Sequence, residues 1–299
     1  MIPAAIRFNP QPVNSSSPQL CEEIPLSELI DLMSRTVRDA GAAILRVYGE
    51  EDFGVETKSD DSPLTRADLA AHHIIVDGLS EGAPDIPILS EESDDIPFSE
   101  RSGWQRYFLV DPLDGTKEFI SRNGEFTVNI ALIEGGVPVM GVVYVPVKDV
   151  LYIGDQVSGE AFVTRDGKTT SISTRKFSPD DAVTVVASRR HGGEALEACM
   201  KILNESFGSV DTTNMGSSLK LCLVAEGEAD LYPRLALTSE WDTAAAQAVV
   251  EAAGGTVVDV HLNELRYNTK ENILNPFFYV IGDAGYDWTS LLSRVEIPT

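Results

Sequence analysis

From Phe126 to Val163 the chain offers four β-type runs in succession, Phe126–Ile133, Val137–Val145, Val150–Ile153 and Glu160–Val163, with no segment of helical period between them. Runs rich in Val, Ile and Tyr and bounded by turns such as Glu134-Gly135-Gly136 read as an antiparallel meander, and Asp166-Gly167 adds a hairpin before Thr170–Ser173. Helices are expected upstream. Leu26, Leu29, Ile30, Met33, Val37, Ala40 and Ile44 recur at three- and four-residue steps, the stripe of a long amphipathic helix lying on one face of a sheet. Ser62-Pro63-Leu64-Thr65 interrupts the chain, and Thr65 with Asp68 forms a capping-box start for a second helix to about Leu79. Strand candidates follow at Ile86–Leu89 and Tyr107–Val110, and past Phe177-Ser178-Pro179 the pattern alternates α and β to the end. The expectation is a layered α/β chain of two abutting lobes, 26–177 and 178–299, behind a loose Pro/Ser/Asn-rich arm over 1–25 that contributes nothing to core or site.

Composition bounds the partners. With 299 residues, 43% of them hydrophobic, the chain can bury a large core. A net charge of −24 works against general attraction to nucleic-acid backbones and anionic membranes, so any phosphate ligand must be met by local cations. Cys21, Cys199 and Cys222 are scattered and form no Cys-x-x-Cys pair, which argues against a disulfide framework or a zinc knuckle and fits a reducing, cytoplasmic setting. No apolar run approaches the roughly 20 residues of a membrane span, and residues 1–25 lack the plan of a secretion signal.

The chemistry concentrates in acids at element ends. Tyr107-Phe108-Leu109-Val110 leads into Asp111-Pro112-Leu113-Asp114-Gly115-Thr116, placing two acids where a buried strand should stop. Such acids are costly to desolvate unless a cation meets them, and with the carbonyl between them they form part of an oxygen cage for a hard divalent ion. Glu91-Glu92 follows another apolar strand, and Glu240-Trp241-Asp242-Thr243 opens the helix Ala244–Ala253. Each has a bland alternative: Asp242 as an ordinary N-cap, Glu91-Glu92 as solvated loop acids. His72-His73 have no ligand spacing and read as ordinary helix residues.

Taken together, Leu-Ser-Glu-Glu-Ser at 89–93, Asp-Pro-Leu-Asp-Gly-Thr at 111–116 and Trp-Asp-Thr-Ala-Ala at 241–245 resemble, in order, the signature of the lithium-sensitive, Mg²⁺-dependent phosphomonoesterases, the family of inositol monophosphatase. The resemblance implies a helix-sheet-helix-sheet-helix sandwich and two or three Mg²⁺ ions. It assigns Glu91, Asp111 and the Leu113 carbonyl to the first ion, and Asp111, Asp114 and Asp242 to the second. Glu91 and Thr116 would orient the attacking water, the amides of Gly115 and Thr116 would face the phosphate, and Asp61, or Asp60 beside it, would be an upstream acid near the metals.

Phe108 to Pro146, above all Lys117-Glu118-Phe119 after Asp-Gly-Thr, resembles the CysQ-type 3′(2′),5′-bisphosphate nucleotidases; inositol monophosphatases usually carry Thr-Asn-Phe there. The implied substrate is 3′-phosphoadenosine 5′-phosphate, with the sulfated nucleotide left open. Gly216-Ser217-Ser218-Leu219-Lys220, Tyr232-Pro233-Arg234 and Ser188-Arg189-Arg190-His191 match the nucleotide segments, so Ser217, Lys220, Arg234 and His191 are the expected phosphate contacts. The bland reading has Lys220 facing solvent on a helix Ser217–Ala225 and Arg234 pairing with a surface acid. The rival functions are an inositol or broader sugar phosphatase and, more remotely, a non-catalytic metal-binding acidic protein. Expected partners are a small nucleotide, no nucleic acid and no membrane, in a monomer or homodimer.

Overall fold

The first helix, Leu26–Tyr48, turns Leu29, Met33, Val37, Ala40 and Ile44 inward, the stripe its sequence announces. It packs beside the Arg66–Gly82 helix, which Thr65 and Asp68 start with a full capping box. A computed structural model describes residues 24–58, 63–178, 181–187 and 193–296. Residues 1–23, Asp60, Asp61 and the Ser188-to-His191 loop lie outside the described residues, so the readings placed on them stand untouched.

The two helices cover one face of a seven-stranded sheet in the order Ile88–Ser90, Arg106–Asp114, Thr127–Glu134, Val137–Val145, Val150–Asp155, Glu160–Arg165, Lys168–Ser171. Only the first pair is parallel; the rest is the expected meander. The other face receives the Ala244–Ala252 helix, whose small residues let it lie close: a Cβ on Gly141 would stand 2.0 Å from the Ala245 carbonyl oxygen. Any side chain there would push the helix off the sheet.

Behind that helix stands a five-stranded sheet in the order Val210–Asn214, Val183–Ala187, Leu231–Arg234, Phe278–Ile281, Thr256–Asp259, parallel over its first three strands and antiparallel at the end. The Leu219–Ala225 helix shares the central layer, and the Glu194–Phe207 and Thr289–Leu292 helices form the outer one. The layering is helix-sheet-helix-sheet-helix, as expected. Among the described residues no helix is long and apolar enough to cross a membrane.

Two boundaries differ from the sequence reading in ways that matter. The strand expected to stop at Val110 runs to Asp114, so the two acids lie within it. The helix expected to begin at Ser217 begins at Leu219, leaving Ser217 and Ser218 at its foot.

Candidate active site

The first two acids are shaped by an irregularity in the sheet. Asp111 pairs with Asn129 and Asp114 with Thr127, so two residues on one strand, Pro112 and Leu113, face only Val128 on the other. Pro112 has no N–H to give to the ladder, which makes this the natural place for a bulge, and a bulge re-aims the side chains beside it. The Asp111 carboxylate accepts the Leu113 N–H at 3.0 Å, closing the local turn. As a result Asp111, Asp114 and Asp242, from two distant parts of the chain, have ligand oxygens within 4.8 Å of one another.

Asp242 is not a helix cap. The N-cap position belongs to Thr243, and the Asp242 carboxylate instead accepts the Ser239 N–H at 3.0 Å, which aims it into the acid group. Glu91 is held next door because its N–H bonds the Val110 carbonyl and continues the parallel pairing by one residue. Its carboxylate, with that of Glu92, meets Lys58 at 2.7 and 2.5 Å. The solvated-loop reading of Glu91-Glu92 fails: this is a half-buried ion triad.

The electrostatics of the group are strained. Burial first, then Glu91, Asp114 and Asp242, push the Asp111 carboxyl well above its ordinary value. Burial and then Asp114 and Glu91 do the same to Asp242. Burial lifts Glu91 to about 7 although Lys58 opposes it. Like charges held this close in a desolvated setting call for a hard cation, and an all-oxygen donor set suits Mg²⁺ or Ca²⁺ and not a thiophilic metal. The residues present fit a divalent ion.

Thr116 opens the short helix Thr116–Ile120 after Gly115, whose φ of +93° disfavours any side chain and where an added Cβ would stand a tight 3.3 Å from the Glu125 carbonyl oxygen. Beneath this turn Phe119 and Phe126 are fully buried and stack edge to face at 5.3 Å, which anchors it. Truncating such a ring typically costs about 3–5 kcal/mol. The Thr116 hydroxyl lies 3.3 Å from Asp68 and 3.5 Å from the Leu113 carbonyl.

Asp68 is the functional candidate that the sequence reading missed. It was explained by the capping box, and its Oδ2 does accept the Thr65 N–H and hydroxyl at 2.8 and 2.6 Å. Its other oxygen faces Thr116, and burial raises its pKa to about 6. Among the described residues it is this acid that touches Thr116. A signal existed: Asp68 shares the stripe of Ala71, Ile75 and Leu79, and an acid on the apolar face of a helix asks for a reason. Lys58 was also missed, because its meeting with Glu91 depends on folding of the Glu56–Thr57 and Pro63–Leu64 hairpin.

Beside the acids opens a small cleft of about 130 Å³. Asp114 and Asp242 line it together with Gly115, Ser217, Lys220 and Arg234. Lys220 does not face solvent: it is 8% exposed, donates to the Ser217 carbonyl at 2.5 Å and lies 5.7 Å over the Tyr232 ring. Burial lowers its pKa to about 8 against the pull of Asp114. Arg234 donates through Nη2 to the Leu237 carbonyl at 2.8 Å and through Nε to Thr238. Among the described residues neither cation makes an ion pair, so the surface-pairing reading of Arg234 fails as well.

An acid cluster on a bulged strand, a second acid before a central helix and a layered α/β scaffold define a metal-dependent phosphatase class, and a sequence profile of the inositol monophosphatase family matches residues 26–284. The chain belongs to that family. It is 50% identical over 253 residues to the 3′(2′),5′-bisphosphate nucleotidase CysQ of Shigella flexneri, a match that covers 84% of this chain and 99% of the relative. Its identity to the CysQ of Escherichia coli K12 is 49% over the same coverage. Among solved structures, CysQ from Bacteroides thetaiotaomicron, a bacterial member of the inositol monophosphatase family, superposes with a TM-score of 0.77 at 41% identity, covering 86% of this chain and 98% of that one. An inositol monophosphatase from Anabaena shares the fold, with a TM-score of 0.69 at 24% identity over 91% of this chain and 97% of that one.

Proposed function

We propose that this protein is a Mg²⁺-dependent 3′(2′),5′-bisphosphate nucleotidase that hydrolyses 3′-phosphoadenosine 5′-phosphate to AMP and phosphate in the cytoplasm. The observation that carries the reading is a single cleft lined by both the acids Asp114 and Asp242 and the cations Lys220 and Arg234. A bisphosphate has one phosphate for the acids with their ions and one for the cations. A monophosphate would leave the two cations without an anion.

Asp111, Asp114 and Asp242, with Glu91 and the Leu113 carbonyl, would hold the ions. Bound there, Mg²⁺ supplies the Lewis acidity that activates water and offsets charge on the phosphoryl oxygens. The Thr116 hydroxyl orients the water, with Asp68 as an acceptor behind it. The amides of Gly115 and Thr116 face the phosphate to be cleaved. Ser217, Lys220 and Arg234 hold the phosphate that remains, by charge-assisted hydrogen bonds that an overall acidic protein must supply locally.

The metal reading is tested by removal and return. Protein treated with EDTA is expected to release no phosphate and to recover with Mg²⁺; full activity in EDTA would contradict it. Li⁺ is expected to inhibit at concentrations where K⁺ does not, and a flat lithium titration would place the chain outside the sensitive branch of the family.

A pH experiment reads the same charges without turnover. Glu91, raised from 4.5 to about 7, and Asp68, raised from 3.8 to about 6, bind more protons folded than unfolded between those limits. Their contribution to metal-free stability is therefore present at low pH and is lost as pH rises through about 6 to 7. A divalent ion held at the acids replaces the Glu91 proton. The rise in melting temperature on adding Mg²⁺ is thus expected to be small near pH 5 and largest near pH 8. A Mg²⁺ effect that shrinks with rising pH would contradict the assignment.

A further inference from the structure

The carboxylate of Asp114 is braced from behind by groups that the chemistry above does not use. Its Oδ2 accepts the backbone N–H of Ser218 at 2.5 Å and lies 3.5 Å from the Thr127 hydroxyl. The Ser218 hydroxyl in turn bonds Thr127 Oγ1 at 2.8 Å and Asn129 Oδ1 at 3.0 Å. Thr127, Asn129 and Ser218 are 0, 1 and 2% exposed, so no water competes for these bonds. In the ladder, Thr127 and Asn129 stand opposite Asp114 and Asp111. The amide nitrogen of Asn129 is buried and unpartnered, although the residue faces Asp114 closely enough to favour its charged form.

The proton directions are mutually consistent. Ser218 gives its one hydroxyl proton to Thr127, which leaves the Thr127 proton for the Asp114 carboxylate, and the otherwise unpartnered amide nitrogen of Asn129 turns to donate to the Ser218 oxygen. Ser218 also comes from a different layer than its partners, at the foot of the helix that carries Lys220. Its neighbour Ser217 holds a φ of +46°, and the Gly216 N–H is tied to the Glu125 carboxylate at 2.8 Å. The segment 216–220 is therefore docked at several points onto the bulged strand and its neighbour, with the Ser218 backbone N–H reaching Asp114 directly and the Ser218 hydroxyl reaching it through Thr127.

We propose that Ser218, acting through Thr127 and Asn129, is a positioning residue that fixes the Asp114 carboxylate in its metal-binding orientation and so joins the nucleotide segment to the metal site. The proposal rests on the reading of Asp114 as a metal ligand. Repulsion among the three acids would otherwise splay them, and a carboxylate free to rotate binds the ion less well. Partners of this kind typically contribute about ten- to a hundredfold to metal affinity.

The test follows Mg²⁺ binding in two ways, by the melting temperature of metal-free protein titrated with Mg²⁺ and by the Mg²⁺ dependence of phosphate release. Ser218→Ala and the near-isosteric Thr127→Val are each expected to raise the half-saturating Mg²⁺ by about ten- to a hundredfold in both measurements, with kcat recovering at saturating Mg²⁺. Thr127→Ser, which restores the hydroxyl, is expected to return it close to the wild-type value. If both variants lower the metal-free melting temperature and leave the Mg²⁺ titration unchanged, the network only holds the fold and the proposal is overturned. Asp114→Asn is measured alongside. If it weakens Mg²⁺ binding while the hydroxyl variants do not, the positioning role alone fails; if it too leaves the titration unchanged, the ligand assignment fails with it.

Discussion

Asp111→Asn is expected to reduce phosphate release by at least about three orders of magnitude, since loss of metal charge stabilisation removes several kcal/mol from the transition state and each 1.4 kcal/mol is tenfold. The fold should survive and even gain. Asp111 is 1% exposed, and burial together with Glu91, Asp114 and Asp242 disfavours its charge, so a neutral isostere relieves repulsion in the metal-free protein. Metal-free Asp111→Asn should therefore melt above metal-free wild type and respond far less to Mg²⁺. This opposition of stability and activity is the mark of a site built around an ion. A variant with near-normal turnover, or one that melts lower without metal, would contradict the assignment.

The second large effect separates substrates. Arg234→Ala is expected to lower kcat/KM for 3′-phosphoadenosine 5′-phosphate by about ten- to a hundredfold, the worth of a charge-assisted hydrogen bond of roughly 1.5–3 kcal/mol. Hydrolysis of a simple monophosphate should change little, because it has no second anion to place against Arg234. Lys220→Ala should show the same preference less cleanly. Lys220 is buried and its charge is felt by Asp114, so its removal also disturbs the acid cluster and some loss carries over to the monophosphate. Equal losses on both substrates for Arg234→Ala would make that cation structural.

The acids were legible because each lies in a short contiguous run at an element end, where local sequence alone raises the question of what meets the charge. Their exact setting was not. Asp111-Pro112-Leu113-Asp114 has the composition of a turn, yet the neighbouring strand Thr127–Glu134 captures it into the sheet and converts the expected strand end into a bulge. Asp68 was hidden by a sufficient local explanation: a capping box accounts for one carboxylate oxygen and says nothing of the other. Lys220 was ambiguous because Leu219, Leu221, Cys222, Val224 and Ala225 are all buried around it, and only the packing of that helix between two sheets decides that the lysine is buried too. Ser218, Thr127 and Asn129 carry no charge and stand far apart in sequence, so their meeting behind Asp114 is a property of the assembled layers alone.

The central claim is that one cleft holds a metal-bound phosphate at the acids and a second phosphate at Lys220 and Arg234. Phosphate release in Mg²⁺ from 3′-phosphoadenosine 5′-phosphate, inositol 1-phosphate and fructose 1,6-bisphosphate, measured side by side on the same preparation, tests it most directly. The account predicts that the nucleotide is preferred by at least about tenfold in kcat/KM over each of the other two. Equal or greater efficiency on inositol 1-phosphate would contradict it and identify the cleft as that of a sugar phosphatase.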